Sequence, residues 1–143
     1  MIEHAWTVVC EKTALDQETG NITLDAVDCI NLTGPIDPPG LTMLPRRIDV
    51  VSFWFRRDAE GPEQARATVE LLTSTGNPVT RFALDLGFER GELRRRTRHI
   101  LTALPHVGPD RYEFVVTLRD SSDSPPREVT RVPLEVRRAD AAA

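Results

Sequence analysis

Two cysteines, Cys10 and Cys29, stand symmetrically about a Thr-Gly step in VVCEKTALDQETGNITLDAVDCINL, residues 8 to 32. A cysteine pair can form a disulfide, hold a metal or supply a nucleophilic thiolate, and free cysteines also fill cores as small hydrophobic side chains. No Cys-x-x-Cys pair or paired histidine spacing accompanies them, which disfavours zinc. We expect two buried thiols, with a cross-strand disulfide as the alternative.

Groups for nucleophilic catalysis are sparse in this chain. Its histidines are His4, His99 and His106, and a thiol or hydroxyl nucleophile needs such a base within hydrogen-bond reach, itself oriented by a third group. The sequence contains no G-x-S-x-G, P-loop, H-E-x-x-H or G-x-G-x-x-G motif. We therefore expect surface or strand-end histidines, no cofactor, metal or small-molecule substrate, and no enzymatic activity.

Four arginines crowd the stretch ELRRRTRH, namely Arg94, Arg95, Arg96 and Arg98. Clustered arginines can bind phosphates by charge alone, without contacting bases. Glu89 and Glu92 flank them, however, and the aromatic residues of a single-strand-binding surface are not adjacent in the sequence. The stretch predicts a solvated hairpin or a protein-contact surface, with anion or nucleic-acid binding as the alternative.

An aromatic triplet ends the segment IDVVSFWFRR. Alternation places Ile48, Val50 and Trp54 on one face of a strand, and Val51, Phe53 and Phe55 on the other. A strand that is apolar on both faces must be covered on both. We expect Phe53, Trp54 and Phe55 to form an interface with a partner protein or a second copy, or else to be covered by the proline-rich connection, residues 33 to 45.

The composition limits what the whole chain can be. With 143 residues and 40% hydrophobic content, it can bury a core without disulfides. The net charge of -4 gives no overall field that would attract nucleic acid or an acidic membrane. The sequence shows neither a signal peptide nor a membrane-spanning run. We expect one cytoplasmic domain over residues 1–138, a frayed tail over 139–143, and no membrane association.

Apolar residues recur with a period of two through most of the chain, and turn signals separate the runs. This pattern predicts an all-β fold, a two-sheet antiparallel β-sandwich of about eight strands with immunoglobulin-like or related topology. A turn centred on Thr19 and Gly20 would place Cys10 opposite Cys29. Pro133 lacks the amide hydrogen that a central strand needs, so its strand should be an edge.

The first two predicted strands also resemble those of a family of small bacterial β-sandwich proteins with no assigned function. The resemblance is carried by seven positions and by two later segments: Cys10, Glu11, Gly20, Ile22, Thr23, Leu24 and Asp28, then VELLTSTGNPV and LPHVGPDRYEFVVTL. Asn21, Asp25 and Ala26 depart from the family pattern. The resemblance implies a sandwich fold and transfers no catalytic residue.

These observations together favour a non-enzymatic binding or structural module. Its expected contacts are with another protein or a second copy, through the aromatic triplet. The alternative function is anion or nucleic-acid binding through the stretch from Arg94 to Arg98.

Overall fold

The computed structural model describes residues 1–36 and 38–138, and this part of the chain is all-β, without a helix. Its strands are β1 (Glu3–Leu15), β2 (Ile22–Ala26), β3 (Cys29–Leu32), β4 (Thr42–Leu44), β5 (Ile48–Phe55), β6 (Glu63–Leu72), β7 (Pro78–Phe88), β8 (Arg94–Leu101), β9 (Leu104–His106), β10 (Asp110–Arg119) and β11 (Arg127–Arg138). The predicted tail, residues 139–143, lies outside the described residues.

The strands form three sheets. A four-stranded sheet has the order β2-β1-β5-β8, a five-stranded sheet has the order β3-β11-β10-β6-β7, and β4 pairs with β9. The all-β class is confirmed. The prediction of about eight strands in two antiparallel sheets does not agree with the described residues. They contain eleven strands, and β3 runs parallel to β11.

The segment NITLDAVDCINL, expected as one strand, is divided between the two large sheets. Val27 donates its amide hydrogen to Val9 O in the four-stranded sheet, at 2.9 Å. The next residue, Asp28, accepts a hydrogen bond from the amide of Glu135 in the five-stranded sheet, also at 2.9 Å. The chain therefore changes sheets within two residues, and both backbone groups stay paired at the crossing.

The predicted hairpin register is wrong for a related reason. Cys10 lies opposite Ala26, and Leu15 lies opposite Ile22, with a bulge between Cys10 and Lys12. The bulge shifts the pairing, and the sheet change carries Cys29 into β3, beside Glu135. The two cysteines are thus in different sheets.

One hydrophobic cluster includes residues of both large sheets. Val50 and Trp54 come from β5, while Val69, Phe114 and Leu134 come from the five-stranded sheet. Trp54 is fully buried, and its indole N–H donates to Thr97 Oγ1 at 3.0 Å. Burial of each large apolar side chain stabilises the fold by about 1.5–3 kcal/mol. The alternation that predicted strands in the sequence therefore marks the inner faces of these two sheets.

Tyr112 fixes the loop that precedes β10. Its hydroxyl donates to Gly108 O at 2.6 Å and accepts the amide hydrogen of Val107 at 2.9 Å. Gly108 has a φ of 106°, which favours glycine. This arrangement resembles the tyrosine corner of immunoglobulin-like sandwiches, in which a strand-entry tyrosine bonds to the backbone a few residues upstream.

Pro133 lies in a strand that is only partly an edge. β11 pairs with β10 along its length, Pro133 lying opposite Glu113. Its pairing with β3 is confined to residues 135–138. Beside Pro133, β11 therefore has no strand neighbour on the β3 side among the described residues, and the missing amide hydrogen disrupts no ladder there.

A buried arginine closes one end of the fold. The Arg56 guanidinium donates to the carbonyl oxygens of Gly61, Glu89 and Glu92, and it stacks over Phe88 at 5.4 Å from the ring centroid. These bonds fix the turn at residues 89–93, which leads directly into β8. The placement of the arginine-rich strand therefore depends on Arg56.

Candidate functional site

The arginine-rich stretch lies in a strand, β8, and not in a hairpin turn, while its expected role as a protein-contact surface stays a prediction. In β8, Arg94, Arg96 and Arg98 are exposed on one face, while the alternate residues are half-buried on the other. The residues after the stretch, His99 to Leu101, extend the same strand. Because side chains alternate along a strand, the four arginines do not act together. We call Arg94, Arg96 and Arg98 the arginine stripe.

The aromatic triplet is likewise divided between two faces. Trp54 points into the core with 0% exposure, so its assignment to a protein interface is wrong. Phe53 and Phe55 are half-buried on the opposite face. The Arg57 guanidinium lies over the Phe55 ring at 5.6 Å, and Arg57 also pairs with Glu3. Arg57 therefore covers part of the Phe55 ring.

The two candidate sets, far apart in the sequence, are neighbours across one strand pair. In the β5–β8 register, Phe53 lies opposite Arg96, and Phe55 lies opposite Arg94. Directly opposed residues in an antiparallel pair share a face. The sequence did not predict that Phe53 and Arg96 are neighbours, because residues far apart along the chain reveal their pairing only through the register of β5 against β8. The structure thus brings part of both sets together: Phe53 lines one cleft with Arg94, Arg95 and Arg96, whereas Phe55 and Arg98 are not part of its lining.

Trp6 is a site residue that the sequence analysis did not single out. It lies opposite Phe53 in the β1–β5 pair, and the two rings stack with centroids 5.6 Å apart and an interplanar angle of 14°. An aromatic residue in the first strand was the available signal, but its partner depends on a bulge between His4 and Trp6. We call Trp6 and Phe53 the aromatic floor.

The aromatic floor lines one cleft of about 720 Å³ together with Arg94 and Arg96 of the arginine stripe. On its far side are the residues of the β1–β2 turn, including Gly20 and Asn21, together with Ile22 at the start of β2. Arg94 and Arg96 form the near wall. The cleft therefore has an apolar base between a cationic strand and a polar turn.

Long arginine side chains span the four-stranded sheet on this face. Arg96 donates to Gly20 O in the β1–β2 turn at 2.9 Å, and Arg98 donates to Thr13 Oγ1 of β1 at 2.8 Å, so both side chains reach over β5. We call this side of the sheet its concave face. Beneath these arginines, Cys10 and Val51 are almost completely buried.

The proline-rich connection, residues 33 to 45, contributes little to this cover. β4, which belongs to it, pairs with β9, with Met43 opposite Pro105. At its end, Arg46 contacts Glu11 at 2.6 Å, and the neighbouring Arg47 pairs with the buried Asp49 at 2.9 Å. These contacts lie at the Cys10 end of the concave face. The aromatic floor is instead bordered by the arginine stripe and the β1–β2 turn.

The positive charge of the stripe is not neutralised within the described part of the chain. Arg95 pairs with Glu92 at 3.3 Å, whereas Arg96 donates to a carbonyl oxygen and Arg98 to a hydroxyl oxygen. Among the described residues, Arg94, Arg96 and Arg98 form no ion pair. Three like charges at alternate positions of one strand repel each other and attract an anionic group.

Neither cysteine is arranged as a nucleophile. Both are free, and Cys10 lies beneath the concave face with its thiol 3.5 Å from Asp49 O. Burial, and secondly the charge of Asp49, raise the pKa of Cys10, which disfavours the reactive thiolate. The prediction of a buried thiol is confirmed for Cys10, while Cys29 is half-buried.

The histidines do not form a catalytic arrangement among the described residues. His4 Nε2 lies 2.7 Å from Thr7 Oγ1, which lies 2.7 Å from Ser52 Oγ. Burial lowers the pKa of His4, but Ser52 is only 1% exposed and cannot reach a substrate in this conformation. His106, expected in a loop, is buried at the end of β9, where its Nδ1 accepts the amide hydrogen of Gly108 at 3.0 Å.

The described residues contain no group of three or more His, Cys, Asp or Glu side chains placed to hold a metal ion. They also contain no helix long and apolar enough to cross a membrane. The site that remains is a cleft on an all-β scaffold, with an aromatic base and a cationic wall. No family model matches this chain, and no curated protein is similar to it.

Proposed function

We propose that this protein is a non-enzymatic binding module that contacts a partner protein through its concave face. The observation that carries the proposal is the pairing of Phe53 and Phe55 with Arg96 and Arg94 across β5 and β8. Aromatic residues and arginine are enriched at the energetically dominant positions of protein interfaces. Here both types line the same cleft.

The charges of the face support a partner with acidic side chains. An arginine that already has a carboxylate partner gains little from a second one, but the arginine stripe has none among the described residues. Bidentate pairing with carboxylates would supply both attraction and orientation. The aromatic floor would add apolar contact area at the centre of the interface.

Nucleic-acid binding is the second candidate, and one observation favours it. The Trp6–Phe53 stack lies beside the arginine stripe, and single-strand-binding surfaces combine aromatic rings with cationic grooves. The net charge of -4 weakens this candidate, because it opposes a polyanion at long range.

The proposal extends to fold and location. We propose an immunoglobulin-like sandwich built from the two large sheets, supported by their shared hydrophobic cluster and the Tyr112 corner. We also propose a cytoplasmic setting, with which two unpaired thiols are compatible. The family of small bacterial proteins that the first strands resemble remains our proposed relationship.

Charge reversal with a matched control tests the proposed function. The test variant is Arg94→Glu/Arg96→Glu/Arg98→Glu, and the control is Arg66→Glu/Arg119→Glu. The control arginines are exposed and lie opposite each other in β6 and β10 of the other large sheet. Tagged wild type and both variants are used to capture partners from host lysate, and captured proteins are then purified and titrated by calorimetry.

We expect the same purified partner to bind wild type and control alike, and to bind the stripe variant at least tenfold more weakly. Sedimentation velocity on the protein alone reports whether the partner is a second copy. A partner that binds all three proteins equally would contradict the proposed face. A partner consisting of nucleic acid, lost in the stripe variant, would promote the second candidate.

A further inference from the structure

We propose that β8 receives its partner as an added strand, an extended peptide segment with acidic side chains at alternate positions. The inference rests on the function proposed above and names its mode and ligand class. It combines two features of β8: an open backbone edge and a regular, uncompensated row of cations.

The open edge comes from the position of β8 in its sheet. β8 is the last strand, paired antiparallel with β5 over the whole span from Arg94 to Leu101. Within the described residues, no strand pairs with its other side. An exposed edge presents backbone N–H and C=O groups that can form a ladder with a further chain. Peptide recognition by strand addition takes its affinity from such a ladder.

The side chains match a strand-shaped ligand. Alternate residues of a strand are separated by about 6.7 Å, so the backbone positions of Arg94, Arg96 and Arg98 repeat at that distance on one face. To meet a ligand at the open edge, the guanidinium groups of Arg96 and Arg98 would turn away from Gly20 O and Thr13 Oγ1. The side chains of an added strand repeat at the same distance. Acidic residues at alternate positions would therefore lie opposite the arginine stripe, one for each arginine, as favourable cross-strand pairs.

The other face of the added strand would meet apolar surface. On the inner side of β8, His99 stacks on Phe82 of β7 with ring centroids 3.7 Å apart and an interplanar angle of 10°. Both side chains are half-buried at neighbouring edges of the two large sheets. The intervening positions of the ligand are therefore expected to be apolar, which gives a segment that alternates between acidic and apolar residues.

Arginines on an edge strand also serve to prevent unwanted pairing. The two roles differ in which strands are able to pair with the edge of β8. Three uncompensated cations repel basic strands and leave neutral strands without charge partners, but they attract an acidic one. The arginine stripe is thus consistent both with preventing general aggregation and with selecting an acidic ligand, and only the second role predicts binding.

Two features favour a peptide over a single-stranded nucleic acid. Trp6 and Phe53 stack on each other, so the aromatic floor offers less free ring surface to bases. A peptide can in addition form a ladder of backbone hydrogen bonds with β8, and a nucleic acid cannot.

Fluorescence anisotropy with synthetic ligands tests this mode. The probe is a labelled nine-residue peptide in which four glutamates alternate with valine and threonine. Three comparison probes are a peptide of the same composition with its glutamates in one block, the alternating peptide N-methylated along its central backbone, and a labelled oligothymidylate of matched charge. Each is titrated into wild type, the stripe variant and the Arg66→Glu/Arg119→Glu control.

We expect saturable binding of the alternating peptide to wild type and control. The blocked and N-methylated peptides, and the stripe variant with any peptide, should bind at least tenfold more weakly. Hydrogen exchange of wild type with the alternating peptide gives a readout that needs no variant, since the amides of residues 94–101 should become slower to exchange. Lack of binding, or unchanged exchange in β8, would overturn the inference.

The remaining outcomes separate this inference from the proposed function. Equal binding of the N-methylated peptide would show charge attraction without strand addition, which overturns the inference but leaves the concave face as the binding surface. Tighter binding of the oligothymidylate would overturn it in favour of nucleic acid. A natural partner that ignores the stripe, while the alternating peptide requires it, would contradict the proposed function alone.

Discussion

The two faces of β5 are both apolar in sequence, yet the polar groups beside them differ in whether they have hydrogen-bond or ion-pair partners. On the inner face, Trp54 is buried and its indole N–H is bonded to Thr97, and Arg56 is bonded to three carbonyl groups. On the concave face, Phe53 is half-buried beside arginines without ion pairs among the described residues. Apolar pattern alone does not distinguish a core from a binding surface, whereas satisfaction of the surrounding polar groups does.

The arginines beside the two faces show the same contrast between bonded and unbonded groups. Arg56 is a structural residue, since its guanidinium is 2% exposed and fully engaged with the chain. Arg94 is exposed, and no hydrogen bond or ion pair holds it among the described residues. The polar groups of the inner face are therefore bonded within the chain and stabilise the fold. The arginines of the concave face remain able to bind a partner. The following predictions test that division, beginning with the largest effect.

Truncation of two adjacent aromatic residues, one on each face of β5, should give the largest difference in the free energy of unfolding. Trp54→Ala removes a fully buried side chain and leaves a cavity, and we expect a loss of about 3–5 kcal/mol in the free energy of unfolding. Phe53→Ala removes a half-buried ring, and we expect a loss of about 1–2 kcal/mol. Urea unfolding followed by circular dichroism measures both.

Trp54→Phe provides a milder variant if Trp54→Ala does not fold. It keeps most of the apolar volume but removes the hydrogen bond to Thr97, and we expect it to cost about 1–2 kcal/mol. If Phe53→Ala destabilised the protein as much as Trp54→Ala, the concave face would be a second core and not a binding surface.

The two classes of arginine give the next effect. Arg56→Met would leave the carbonyl groups of Gly61, Glu89 and Glu92 without this donor, and we expect a loss of about 3 kcal/mol. Arg94→Met should change the free energy of unfolding by less than about 0.5 kcal/mol, because it removes no intramolecular bond in the described chain. Thermal unfolding at one pH compares them.

Arg56→Lys sharpens this comparison, since lysine keeps the charge but lacks the planar fork that reaches several acceptors. We expect it to be nearly as destabilising as Arg56→Met. A fully stable Arg56→Lys protein would show that charge alone holds the turn at residues 89–93.

Local patterns predicted the parts of the fold that depend on one strand at a time. The alternation of Ala65, Ala67, Val69 and Leu71 marks the core side of β6, because period two is a property of the strand itself. Cover on both faces of β5 was predicted for the same reason: residues 48–52 are buried, whereas Phe53 and Phe55 on the concave face are only half-buried.

The site depended on information that no local pattern contains. The change of sheet at Val27 and Asp28 and the register of β5 against β8 are long-range pairings. A sequence window shows that Phe53 and Arg96 each occupy one face of a strand, but not that these faces coincide. The residue types of the site were therefore identified from the sequence, whereas their assembly and the participation of Trp6 were not.

The smallest effect concerns His99, on the inner side of β8. Burial lowers the pKa of His99 in the folded protein below its ordinary value of 6.5. The unfolded chain therefore takes up a proton first as the pH falls, and acid favours unfolding. Stability from the neutral ring is fully present above about pH 6.5 and is lost as the pH falls through the lower folded pKa. We expect a loss under about 1 kcal/mol, since solvent screens this half-exposed ring.

Comparison of His99→Phe with wild type measures this loss. The substituted ring can still stack on Phe82 but does not titrate, so its unfolding temperature should fall less between pH 8 and pH 5.5. His4 also has a pKa lowered by burial, so His4→Gln serves as the control that separates the two contributions. If His99→Phe showed the full wild-type dependence on pH, the junction of β7 and β8 would not sense protonation, and the edge beside the arginine stripe would keep its structure in acid.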